Sequence, residues 1–115
     1  MSKLSTHVLD TAGGRPAAGM KVALFHVVGV PNLLKETTLN DDGRPAGPLL
    51  TGDAVRTGHY QLTFHVGDYF TSIGSRDAKK FLDVVTLDFH ISDPTADYHV
   101  PLLVSPWSYS TYRGS

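Results

Sequence analysis

The stretch His59-Tyr60-Gln61-Leu62-Thr63-Phe64-His65-Val66 alternates polar and apolar residues without a break. Successive side chains of an extended chain point to opposite faces, so Tyr60, Leu62, Phe64 and Val66 share one face and His59, Gln61, Thr63 and His65 the other. A helix would scatter the four apolar groups around its axis, whereas a strand gathers them against a core. The pattern extends along the chain. Residues 81–91 put Val85, Leu87, Phe89 and Ile91 on a core side and Asp88 and His90 opposite. Residues 20–28 are apolar on both faces, with Val22 and Leu24 alternating with Ala23, Phe25 and Val27, which predicts an interior strand in which His26 is structural. Residues 4–10 and 33–39 add two more strands. Residues 98–105 and 108–113 form a final pair joined through Pro106 and Trp107. Gly13-Gly14-Arg15-Pro16, Asn40-Asp41-Asp42-Gly43 and Asp93-Pro94 supply the turns. Asp68, ahead of Tyr69-Phe70, is placed to cap one short helix reaching to about Ile73. The expected fold is an all-β sandwich of about seven to eight strands with one short helix.

With 115 residues, the chain suits a single domain spanning 1–115. Its 41% apolar and 18% charged content is that of a globular protein. Ten basic and 11 acidic residues give a net charge of -1 and form no basic stripe, which argues against nucleic acid as a partner. No apolar run approaches membrane-spanning length, and Met1-Ser2-Lys3-Leu4 does not open like a signal peptide, so a cytoplasmic location is the default expectation. The absence of cysteine removes disulfides, thiolate nucleophiles and cysteine zinc sites. Six histidines invite a metal, but none sits in a compact array of the His-Glu-x-x-His type; His59 and His65 merely share a polar strand face. No metal is expected. A Gly-x-Ser-x-Gly elbow and a phosphate-cradling glycine loop are both missing, so serine-hydrolase chemistry and a nucleotide cofactor lack support.

Several polar residues fall where a site could form. Alternation turns His99, Pro101 and Leu103 away from the face carrying Tyr98, Val100, Leu102 and Val104. His7 shares a face with Ser5 and Leu9. Ser108, Ser110 and Tyr112 form a row of hydroxyls on the last strand. Arg44 stands in Gly43-Arg44-Pro45-Ala46-Gly47-Pro48, which is too rich in proline and glycine to join a ladder and so acts as a stiffened platform. Spacing alone leaves both a solvent-facing and a functional reading open for the histidines.

The C-terminal run Tyr98-His99-Val100-Pro101-Leu102-Leu103-Val104-Ser105-Pro106-Trp107-Ser108-Tyr109-Ser110-Thr111-Tyr112-Arg113-Gly114-Ser115 resembles that of the 5-hydroxyisourate hydrolases, the purine-degrading branch of the transthyretin-like proteins. Ser5-Thr6-His7-Val8-Leu9-Asp10 and Gly43-Arg44-Pro45 are similar to the family's other motifs, in the same order. Asp97, where the family commonly has histidine, and Val104, where leucine is frequent, depart from the pattern.

The resemblance implies a transthyretin-like β-sandwich, assembled as a homotetramer with active sites at a subunit interface. It implies cofactor-independent hydrolysis of a small-molecule substrate, 5-hydroxyisourate, to 2-oxo-4-hydroxy-4-carboxy-5-ureidoimidazoline. His7, Arg44 and His99 are then the catalytic residues, with His99 favoured as general base, His7 orienting water or substrate, and Arg44 holding the carbonyl oxygen as it gains charge. Tyr112, Arg113, Gly114 and Ser115, with Ser110 beside them, would bind substrate. The alternative is a non-catalytic transthyretin-like carrier of a small ligand, for which these ionisable groups are poorly suited.

Overall fold

The computed structural model describes residues 1–114; Ser115 lies outside them. Among the described residues, nine strands make two packed sheets: β1 (Lys3–Asp10), β2 (Arg15–Pro16), β3 (Lys21–Val28), β4 (Val30–Thr38), β5 (Leu50–Thr51), β6 (Gly58–His65), β7 (Val84–Ile91), β8 (Tyr98–Val104) and β9 (Tyr109–Thr111). One α-helix, α1 (Val66–Ser72), follows β6, and a single 3-10 turn, Gly52–Ala54, follows β5. The first sheet runs β2-β1-β8-β9, with β5 also on β1, and the second runs β4-β3-β6-β7. All pairings are antiparallel except β1 with β8.

The apolar faces read from alternation meet between the sheets. Tyr60, Leu62 and Phe64 of β6 and Val85, Leu87 and Ile91 of β7 join Leu4 and Val8 of β1 and the Tyr98, Val100, Leu102 and Val104 face of β8 in one buried cluster. β3 lies between β4 and β6, as its two apolar faces require. The His26 ring stacks on Tyr60 at 4.8 Å, a packing role.

Several boundaries differ from the sequence reading, each for a local reason. β6 gives way to α1 at Val66, one residue earlier than alternation suggests, and Asp68 sits inside the first turn of the helix, paired with Lys79 at 2.8 Å, instead of capping it. Because β6 ends at His65, which pairs with Val84, residues 81–83 have no strand to pair with. They fasten loops instead: Leu82 N–H donates to the Pro106 carbonyl, and Asp83 O accepts from Gly67 N–H. β4 begins at Val30 and includes Pro31, which costs no ladder bond on an edge strand. The final strand shrinks to Tyr109–Thr111. Extending its register sets Tyr112 opposite Pro101, which has no N–H to give, and pairing resumes only as a bridge between Gly114 and His99.

At the end of β1, the fully buried Asp10 accepts hydrogen bonds from the Tyr69 hydroxyl and the Gly13 N–H, both at 2.8 Å, with Arg15 Nε 3.7 Å away. Burial, then the hydrogen bond to Asp10 and its charge, push the Tyr69 phenol up to about 12. The carboxylate thus ties the first sheet to α1. Asp10→Ala strands the buried Tyr69 hydroxyl without an acceptor and is expected to cost about 3 kcal/mol of stability, measured by urea unfolding at neutral pH. An unchanged midpoint would mean that the tie contributes nothing.

Candidate active site

The parallel pairing of β1 with β8 builds the site. Ser5 is set beside His99, His7 beside Pro101 and Leu9 beside Leu103, so all six point out of the first sheet, away from the core. His7 therefore lies one diagonal step from His99, a separation of about 7 Å between such neighbours. Both histidines are half-buried. Ser5 Oγ is 2.8 Å from His99 Nδ1, and among the described residues this is the only hydrogen bond the His99 ring makes.

Arg44 reaches the same region from the loop after β4. Gly43 has φ +73°, and its carbonyl accepts the Val8 N–H at 2.9 Å. A Cβ at Gly43 would stand 2.5 Å from the Val8 carbonyl, so only glycine lets the loop lie this close to β1. Asn40 shapes the turn: its side-chain oxygen accepts the N–H groups of Asp42 and Arg44, and its own N–H donates to the Arg44 carbonyl. Arg44 is exposed and borders a cleft of 220 Å³ with Lys3, Ser5, Thr6, Pro45, Gly47 and Pro48.

These neighbours set the charge on His99. Burial, followed by the electrostatic influence of Arg44, His7 and Lys3, holds its imidazole below the usual 6.5. His99 is therefore neutral at neutral pH, with Nδ1 on the Ser5 hydroxyl.

The C-terminal residues divide between the two sides of this sheet. Gly114 exchanges two backbone hydrogen bonds with His99, at 2.7 and 3.2 Å, and a Cβ there would press on the His99 side chain at 3.1 Å. Arg113 lies on the inner side. Its guanidinium donates to the Asp97 carbonyl at 3.0 Å and stacks 4.6 Å over the Tyr98 ring, so it moors the segment that carries Gly114. Tyr112 is 60% exposed and borders a 250 Å³ cleft with Arg113, Leu87, Phe89, Tyr98 and Val100. Ser110 pairs with Leu103, on the face of His99 but four residues along β8, roughly 13 Å away. The structure thus sets His7 and Gly114 beside His99, with Arg44 near enough to act on its charge, and leaves Ser110 farther along the sheet and Arg113 on its inner side; Tyr112 follows the end of β9 opposite Pro101. Sequence reasoning did not single out Ser5 or Lys3. Ser5 shares the face of His7 by parity, but its partner is 94 positions away.

The fold is thus a two-sheet β-sandwich with two histidines on the outer face of one sheet and an arginine-bearing loop beside them. The chain belongs to the HIUase/Transthyretin family, whose model matches residues 4–114. It is 53% identical over 117 residues to the 5-hydroxyisourate hydrolase of Ralstonia nicotianae, covering 100% of both chains. Among solved structures it matches an (S)-allantoin synthase at TM-score 0.94 and 46% identity, covering 99% of this chain and 44% of that one. It matches the 5-hydroxyisourate hydrolase of Klebsiella pneumoniae at TM-score 0.83 and 33% identity over the full length of both.

Proposed function

We propose that the chain hydrolyses 5-hydroxyisourate, with His7, Arg44 and His99 as the catalytic residues. One observation carries the assignment of roles: a half-buried imidazole with Nδ1 on the Ser5 hydroxyl, its pKa lowered by burial and by Arg44, His7 and Lys3 around it. Water attacks a ring carbonyl carbon, the carbonyl π pair moves to oxygen, and His99 Nε2 takes the water proton. When the C–N bond breaks, the ring nitrogen takes that proton back from Nε2. The ring opens to 2-oxo-4-hydroxy-4-carboxy-5-ureidoimidazoline with one water added and no cofactor consumed. A base held below the ordinary histidine value is free of its proton at neutral pH and can take one from water. Arg44 stabilises the carbonyl oxygen as it gains charge, and His7 orients the water. Tyr112, Arg113, Gly114, Ser110 and Ser115 complete the substrate-binding set in this reading.

The carrier reading is weaker, because the relatives at about 50% identity over the whole chain bear the hydrolase name. The reading includes a homotetramer with sites at a subunit interface and a cytoplasmic compartment. Half-buried Leu9 and Leu103, on the histidine face, support another subunit covering that face.

The test generates 5-hydroxyisourate in situ from urate and follows its ultraviolet decay with and without the protein, alongside light scattering of the active species. Catalysed decay by a species of four 12.5 kDa chains is the expected result. Decay at the uncatalysed rate removes the hydrolase reading, and a monomeric active species removes the tetramer.

A further inference from the structure

We infer that Ser5 is a positioning residue for His99: its hydroxyl accepts the Nδ1 proton, fixing the tautomer whose bare Nε2 faces the substrate. The inference rests on the hydrolase reading and adds to it a residue outside the proposed catalytic set. The pairing is built into the fold. β1 and β8 run parallel in a register that places Ser5 directly beside His99 on the outer face, and the Oγ to Nδ1 distance is 2.8 Å. Gly114 holds the His99 backbone from the other side through two hydrogen bonds, so the ring is fixed between β1 and the C-terminal segment.

A hydroxyl suits this position because of what it lacks. A base that first takes a proton at Nε2 and then returns it passes between neutral and cationic states. Nδ1–H remains a donor in both, so Oγ can accept it throughout without rearranging. A carboxylate in its place would also orient the ring, but its charge would draw the imidazole towards the protonated form. Among the described residues, the groups that act on His99 are Arg44 from the loop, His7 and Lys3 from β1, and Ser5, and none of these is an anion. The site thus combines a fixed tautomer with a neutral base, which an imidazole–carboxylate pair would not give.

Three variants of the full chain test this, read by kinetics and by 15N NMR of the His99 ring. Wild type should show a protonated Nδ1 and a bare Nε2. Ser5→Ala should lower kcat about tenfold or more with KM little changed, as expected when an orienting partner is lost, and should populate the Nε2–H tautomer. Ser5→Thr, which keeps the hydroxyl and suits a strand, should restore both. Ser5→Asp should move the acid limb of the kcat profile up by about one unit or more. A wild-type ring protonated at Nε2, or a Ser5→Ala variant with wild-type kcat and tautomer, overturns the inference. A wild-type chain with no turnover instead defeats the hydrolase reading, and the NMR tautomers then decide the role of Ser5 by themselves.

Discussion

Replacing His99 by alanine is expected to lower kcat on 5-hydroxyisourate by about a thousandfold, since a placed general base contributes roughly 10²–10⁴ in rate. KM should change far less, because the lost interaction is made mainly in the transition state. The fold should survive, because the side chain lies on an outer face and contributes nothing to the buried cluster. The wild-type pH profile gives an independent check. His99 must be neutral to act, and burial, Arg44, His7 and Lys3 hold it below 6.5. Activity should therefore persist as pH falls past 6.5 and be lost only at lower pH, when the ring finally takes a proton. Stability follows the same direction: the unfolded chain binds a proton at the ordinary value while the folded ring resists it, so this contribution is present above 6.5 and is lost as pH falls through the folded value. A His99→Ala variant that keeps wild-type kcat would move the general base to another residue, with His7 the first to examine.

What the sequence made legible follows from the range over which its signals act. Alternation is local, so β6, the core side of β7 and the outward turn of His7 and His99 could all be read from neighbouring residues. Element ends depend on partners. Residues 81–83 look like strand but have none, because β6 turns into α1 at Val66; the last strand breaks opposite Pro101, whose missing N–H matters only once the register is known. The site is less local still. Parity gives each strand's outward face, but the parallel contact of β1 with β8 brings together residues 94 positions apart, so Ser5 and His99 could not be paired in advance. The C-terminal motif looks like one unit in sequence and is divided by the fold: Gly114 presses against His99, while Arg113 turns inward to Tyr98 and Asp97.

Arg44→Gln is expected to lower kcat about a hundredfold, the usual loss when a donor to a developing oxyanion is removed. A neutral amide keeps some hydrogen-bonding capacity, so most of that loss reports the missing charge. The same charge depresses the His99 pKa, second only to burial, so the acid limb of the variant should move up towards the ordinary histidine value. Arg44→Lys separates the two effects. Lysine keeps the positive charge and should leave the acid limb in place, but it lacks the planar fork and should still lose rate. The backbone that carries this side chain is held independently of it, through Gly43 bonded to Val8 and the turn organised by Asn40, so neither substitution should disturb the loop. The two variants thus form a pair in which rate tracks guanidinium geometry and the pH limb tracks charge. An Arg44→Gln enzyme with reduced rate but an unmoved acid limb would place the arginine on the substrate yet outside the electrostatic reach of His99, and the single cluster of base and oxyanion donor would have to be divided between subunits.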